Sequence, residues 1–103
     1  MGFAASPSER LLKGLRFWSE IEMYKRELLG ELLANPKKIR FARICNIAEG
    51  FGFQTRRSSG SHRIYYKENV IEILNFQNDG GWAKPYQVRQ FTKVIEKYNL
   101  HEV

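Results

Sequence analysis

Residues 56–66 read Arg-Arg-Ser-Ser-Gly-Ser-His-Arg-Ile-Tyr-Tyr, a composition typical of a β-hairpin with strand-forming residues on either side of a Ser-Ser-Gly turn. On either side of this stretch, the spacing of apolar residues is no longer helical after Gly52 and predicts three strands, at residues 53–57, 61–67 and 70–76. Glu68-Asn69 is the predicted turn between the second and third strands. Because the connections are short, the strands should form an antiparallel meander.

Helices are predicted on both sides of these strands. Ser6-Pro7-Ser8-Glu9 is typical of a capping box, so a long amphipathic helix should begin there and end at Asn35-Pro36. A second helix is predicted over residues 36–49, and a third should begin at Lys84-Pro85. The expected apolar stripes consist of Leu11, Leu15, Trp18, Ile21, Leu28, Leu29 and Leu32 in the first helix and of Val88, Phe91, Ile95 and Tyr98 in the third.

The order of these elements predicts an α+β protein. Residues 36–103 should form an α-β-β-β-α module, in which two helices cover one face of a three-stranded antiparallel sheet and the other face stays open for a ligand. Residues 1–35 precede this module as an additional N-terminal helical extension. The apolar stripe of the extension must be buried, by packing back on the domain, by forming a homodimer or by docking another protein.

The net charge of +6 is distributed unevenly. Residues 1–35 contain five basic and five acidic residues, whereas residues 36–103 contain the other twelve basic residues and six acidic ones. A polyanion is the natural ligand of the second segment, since lysine and arginine release counterions when they neutralise phosphates. The alternative is that the charge only keeps the surface solvated.

Composition also argues against several classes of protein. No apolar run approaches the length of about 20 residues that spans a bilayer, and there is no signal peptide, so a cytoplasmic protein without a membrane partner is expected. Cys45 is the only cysteine, and His62 and His101 are the only histidines. One thiolate and two imidazoles are too few ligands for a thiolate-imidazole zinc site within one chain. Cys45 is therefore predicted to be a core residue, and no metal or cofactor is expected.

His62 is the candidate catalytic residue. An unperturbed imidazole has a pKa of about 6.5 and can accept or donate a proton near neutral pH. Arginines hold phosphates and tyrosine rings stack on unpaired bases, so the combination around His62 is what a metal-independent ribonuclease needs. The alternative is a structural histidine that points inward, because strand alternation places it on the same side as Ile64 and Tyr66.

The chain resembles the HicA toxin family in a helix followed by Gly-Phe, a basic strand, Gly60-Ser61-His62 at the head of a tyrosine-rich strand, a third strand and a terminal helix. The resemblance covers about residues 36–100. It implies a fold like the double-stranded RNA-binding domain and the activity of a ribosome-independent mRNA interferase, the toxin of a type II toxin–antitoxin system. It also implies that His62 is the catalytic residue, that mRNA is the substrate and that a HicB-like antitoxin covers the active site.

Several residues around the hairpin are predicted to bind RNA. Gly60 should supply a turn with positive φ and let a phosphate approach the backbone, Tyr65 should offer a stacking face, and Tyr66 should face the core. Trp82 is interpreted as an anchor for its glycine loop, with a stacking platform as the alternative. The complete predicted RNA-binding set is Arg56, Arg57, Gly60, Ser61, Arg63, Tyr65, Lys67, Lys37 and Lys38.

Two other functions remain open at this stage. A non-catalytic RNA-binding module would use the basic surface alone, with His62 in a structural role. A protein-interaction subunit would use the N-terminal helix, and its basic segment would bind an acidic partner protein.

Overall fold

The computed structural model describes the backbone of residues 6–102 and the side chains of residues 20–56 and 60–102. It confirms an α+β fold in which a long helix precedes an antiparallel sheet. In chain order the elements are α1 (Ser6–Ala34), α2 (Phe41–Gly50), β1 (Gln54–Ser59), β2 (His62–Lys67), β3 (Val70–Asp79), β4 (Trp82–Ala83), α3 (Pro85–Lys97) and a short 3₁₀ helix (Leu100–Glu102).

The sheet has four strands in the order β1-β2-β3-β4, so the prediction of three strands was wrong. β3 runs to Asp79, three residues further than predicted, and a turn then returns the chain as β4. This turn is tight because Gly80 and Gly81 adopt φ values of 61° and 94°, a region that glycine enters without steric cost. The Asn78 side chain also accepts a hydrogen bond from the Gly81 amide at 2.6 Å.

α2 begins at Phe41, five residues later than predicted. The delay has a tertiary cause, because the chain before α2 pairs with β4. The Phe41 amide donates to the Gly81 carbonyl at 3.0 Å, and the Ala83 amide donates to the Ile39 carbonyl at 2.8 Å. This pairing keeps Ile39 and Arg40 extended, and before them the Lys38 amide donates to the Asn35 carbonyl at 3.0 Å. Lys37 and Lys38 therefore lie in an exposed turn and not at the start of a helix.

The helices cover one face of the sheet, as the sequence predicts. Phe91 of α3 lies at the centre of the core, with its ring centroid 6.0 Å from Phe51, 5.6 Å from Phe53 and 5.5 Å from Phe76. Edge-on and tilted ring pairs of this kind stabilise a core beyond the burial of their area. Phe51 and Phe53 flank the α2–β1 turn and Phe76 lies in β3, so a single side chain joins the helices to the sheet.

The prediction for the adjacent tyrosines was reversed. Tyr65 is the core residue, with 0% of its surface exposed, and Tyr66 is only half-buried. Tyr65 pairs with Leu74 across β2 and β3, and its ring lies 5.7 Å from Phe76. The alternation predicted for β2 was correct, but the face that packs against the helices is the one that carries Tyr65.

The C-terminal part of α1 belongs to the same core. Leu28, Leu29 and Leu32 are buried, and Arg43 of α2 binds both carboxylate oxygens of Glu31 at 2.8 Å. Back-packing therefore accounts for this part of the apolar stripe. Leu11, Leu15 and Trp18 lie outside the residues whose side chains are described, and the homodimer through α1 stays a prediction.

Burial of the Tyr65 hydroxyl predicts a loss of stability at high pH. Burial raises the pKa of Tyr65 to about 12, while a tyrosine in an unfolded chain ionises near pH 10. The fold therefore favours the neutral hydroxyl, and this contribution is complete below about pH 10 and is lost as the pH rises to about 12. In a phenolate absorbance titration, the native protein should show a late step that Tyr65→Phe removes. If the absorbance titrations of the native protein and Tyr65→Phe have the same midpoints, the Tyr65 hydroxyl is not buried as described.

Candidate nucleic-acid interface

His62 is the first residue of β2 and lies on the sheet face that the helices leave uncovered. In the sheet register it pairs with Ser59 of β1 and Gln77 of β3. Its neighbour Arg63 pairs with the buried Phe76, so the next side chain along the strand points to the helices. His62 is half-buried at the strand end, and the alternative of an inward-pointing histidine was wrong.

Asn75 holds the His62 ring from the neighbouring strand. Nδ1 of His62 lies 3.3 Å from Oδ1 of Asn75. An amide oxygen only accepts hydrogen bonds, so Nδ1 is the donor and the neutral ring keeps its lone pair on Nε2. The contact therefore selects the tautomer in which Nε2 can take a proton.

The same face continues along β2 through Ile64 to Tyr66. The Tyr66 hydroxyl donates to Oε1 of Gln54 in β1 at 3.0 Å. The sheet register shifts between Thr55 and Arg57, so Arg56 has no partner across the strands. The Arg56 guanidinium instead lies 5.3 Å from the centre of the Tyr66 ring, within the range of a cation–π contact.

The structure brings only some of the predicted residues together. Gly60 adopts a φ of 55°, which confirms the expected turn, and there is open space around its Cα. Ser61 is exposed beside it. Lys67 lies at the far end of β2, whereas the side chain of Arg57 is outside the described residues.

Arg63 and Tyr65 lie on the opposite side of the sheet from His62. The Arg63 guanidinium lies 5.7 Å from the centre of the Phe41 ring, and the Tyr65 hydroxyl donates to Glu49 of α2 at 2.8 Å. The pKa of Arg63 is raised by its hydrogen bond to Tyr65 and by the charge of Cys45 when that thiol is ionised. Tyr65, being sealed in the core, cannot stack on a base, so its predicted role in RNA binding was wrong.

Cys45 is a buried core residue, as predicted. Burial raises the pKa of its thiol. A thiol that resists ionisation is a poor nucleophile, which agrees with the role of Cys45 as a packing residue of the core.

Arg40 and Trp82 form a second exposed contact near the turn that carries Lys37 and Lys38. The Arg40 guanidinium lies 4.0 Å from the centre of the Trp82 ring, and the two residues also form a backbone bridge. Trp82 remains 38% exposed. These contacts favour its interpretation as an anchor, because they hold the chain before α2 against β4.

Only part of the positive charge is neutralised within the protein. Among the described side chains, Arg26, Arg43, Lys84 and Lys97 form ion pairs with acidic residues. The lysines and arginines without such a pair are Lys25, Lys37, Lys38, Arg40, Arg56, Arg63, Lys67, Arg89 and Lys93. Of these, Arg56 and Lys67 lie in the strands β1 and β2 and are available to an anionic ligand at the sheet.

The described part of the chain contains neither a membrane-spanning helix nor a group of metal ligands. None of its helices has the length and apolar character required to cross a membrane. In the same residues, no three side chains among histidine, cysteine, aspartate and glutamate are grouped so that they could hold a metal ion.

Sequence reasoning missed Asn75 and Gln54. Both are polar residues on the open face, next to His62 and Tyr66 respectively. The alternation of exposed Asn75 with buried Leu74 and Phe76 was a usable signal, because it places Asn75 on the face opposite the core. The distance between Asn75 and His62 nevertheless depends on the register of β2 and β3.

No protein-family model, curated protein or solved structure matches this chain. Its function must therefore be inferred from the fold and from the chemistry of this face.

Replacing Asn75 should change the tautomer of His62. In Asn75→Ala the Nδ1–H donor loses its acceptor, so the fraction of neutral ring with the proton on Nδ1 should fall. Proton–nitrogen correlation spectra of the neutral imidazole measure this fraction. Gln77→Ala is the matched control, since Gln77 pairs with His62 in the register without a hydrogen bond to the ring. An unchanged tautomer in Asn75→Ala would contradict the proposed contact.

Proposed function

We propose that this protein is a HicA-like endoribonuclease, the toxin of a type II toxin–antitoxin system, which cleaves mRNA with His62 as general acid or base. The observation that carries the proposal is the position of His62. Its ring lies on the uncovered sheet face with Nδ1 engaged by Asn75, so Nε2 remains for a substrate.

RNA supplies its own nucleophile, so the protein has little covalent chemistry to perform. In the base role, Nε2 of His62 takes the proton of the ribose 2′-hydroxyl, whose oxygen then forms a bond to phosphorus. The bond from phosphorus to the 5′-oxygen breaks, and this oxygen receives a proton from water. General acid–base catalysis of this kind typically contributes about 10²- to 10⁴-fold in rate.

The remaining groups on the face fit the same substrate. Arg56 is an exposed, permanently charged donor for phosphate, and open space around Gly60 lets an RNA backbone approach the hairpin. The Tyr65 hydroxyl is buried and cannot protonate the departing 5′-oxygen. A single imidazole, with water as the second proton donor, agrees with a slow enzyme.

The apolar part of the face supports a protein partner. Ile71 is 86% exposed and Ile73 45% exposed, and both alternate with β3 residues that face the helices. Exposed branched side chains on an uncovered sheet are typical of a surface that another protein buries. A HicB-like antitoxin seated on this face would cover these residues together with His62.

Replacement of His62 tests the catalytic proposal. His62→Ala should lose RNA cleavage by at least about 10²-fold and keep RNA affinity, because the ring is proposed to transfer protons and the cations to supply most of the binding. The measurement is cleavage of a single-stranded RNA, with detection of a 2′,3′-cyclic phosphate end. His101→Gln is the control for loss of the other histidine. Equal cleavage by His62→Ala and the wild-type protein would leave only an RNA-binding function.

The salt dependence of RNA affinity separates an RNA ligand from an acidic protein partner. With the His62→Ala protein, the logarithm of the association constant should fall with the logarithm of salt concentration by about 0.7 for each phosphate contact on a single strand. Fluorescence anisotropy with a labelled single-stranded RNA gives this slope. Absence of RNA affinity at low salt would favour the protein-interaction alternative.

A further inference from the structure

An open cavity of about 510 Å³ lies at the opposite end of β2 from His62. The α2–β1 turn and the β2–β3 hairpin meet there. Its volume is in the range of small-ligand sites in proteins. The cavity is lined by Gly52, Gln54, Tyr66, Lys67 and Glu68.

Lys67 places positive charge at this cavity. The Lys67 ammonium lies against the backbone of Gly52, so close that a Cβ at Gly52 would be 2.7 Å from Nζ. Burial, and after it the charge of Lys67, lower the pKa of Lys25 in α1. Within the described part of the chain, neither lysine has a carboxylate oxygen within 4.0 Å. An ammonium group without a counter-ion favours an anion beside it.

The wall of the cavity offers a surface for a nucleobase. Tyr66 contributes an aromatic ring, and Gln54 contributes an amide that already accepts a hydrogen bond from the Tyr66 hydroxyl. Proteins that bind single-stranded RNA use aromatic faces for stacking and polar side chains for the edges of unpaired bases. The phosphate and base requirements are thus both met within one cavity.

We propose that this cavity is a subsite for one nucleotide of single-stranded RNA, with the base against Tyr66 and a phosphate on the Lys67 ammonium. This inference rests on the proposed function, because it extends the path of the RNA from His62 along β2. Tyr66 is four residues from His62 on the same face, about 13 Å at the usual rise of a strand. This separation exceeds the rise of one nucleotide in a duplex strand, about 3.4 Å. The subsite therefore holds a nucleotide other than the one that is cleaved.

Glu68 is the one acidic residue in the lining, and it is exposed. Its carboxylate repels a bound phosphate. Removing its charge should therefore have the opposite effect to removing a lysine.

The test measures binding of a labelled single-stranded RNA of about ten nucleotides to proteins that all carry His62→Ala, which prevents cleavage. Adding Lys67→Ala should reduce the slope of the salt dependence by about 0.7, which corresponds to one phosphate contact. Adding Tyr66→Ala should weaken binding by about 5- to 150-fold through the loss of stacking, whereas Tyr66→Phe should stay near the parent affinity. Glu68→Gln should bind more tightly.

Lys93→Ala is the matched control, because Lys93 is an exposed lysine of α3 outside this cavity. Its salt slope should equal that of the parent, and circular dichroism of each variant should match the parent spectrum. Lys67→Gln, which keeps most of the side-chain length without the charge, should repeat the effect of Lys67→Ala if that variant folds poorly.

The outcomes for the subsite and for the nuclease are distinguishable. If RNA binds the parent with a steep salt slope but Lys67→Ala and Tyr66→Ala bind equally well, the subsite is refuted and the catalytic proposal for His62 stands. If an acidic protein is the ligand of Lys67, Lys67→Ala and Tyr66→Ala will likewise leave the RNA affinity unchanged. Absence of RNA binding by the parent at low salt would overturn both proposals.

Discussion

The packing of Phe91 against the sheet is the constraint on which the rest of the structure depends. This ring contacts aromatic residues on both sides of the α2–β1 turn and in β3, so it joins the helical layer to one face of the sheet. The sheet has two faces, and the buried residues of the described helices pack against only one of them. Fixing the helices on the Tyr65 face therefore determines that the His62 face stays open.

The open face derives its organisation from the sheet register. Antiparallel pairing brings Asn75 beside His62, and an irregularity in β1 leaves Arg56 free to contact the Tyr66 ring. The face thus presents an oriented imidazole at one end of β2 and an aromatic, cationic cavity at the other. A single strand of RNA that follows β2 would meet both, which is why the proposed active site and the proposed subsite form one path.

The C-terminal end of the long helix α1 is part of the folded domain. Three leucines enter the common core, and the paired hydrogen bonds between Arg43 and Glu31 join α1 to α2. Exposed ion pairs contribute little by themselves, so burial of the leucines supplies most of the attachment. In the same helix, burial and after it the charge of Lys67 lower the pKa of Lys25.

Much of the architecture was predictable because it depends on local patterns. Helix periodicity identified the stripe of Val88, Phe91 and Ile95, and turn residues identified the hairpins. The extended residues before α2 and the strand β4 were not predictable in this way, because they depend on hydrogen bonds to each other and on the pairing of β4 with β3. β2 has large side chains on both faces, so its own pattern could not determine which tyrosine is buried. The sequence by itself determined which residues share a strand face and where His62 falls in its strand. The tertiary structure decided which face the helices cover and that Asn75 meets the imidazole, because packing and strand register bring together residues that are distant in the chain.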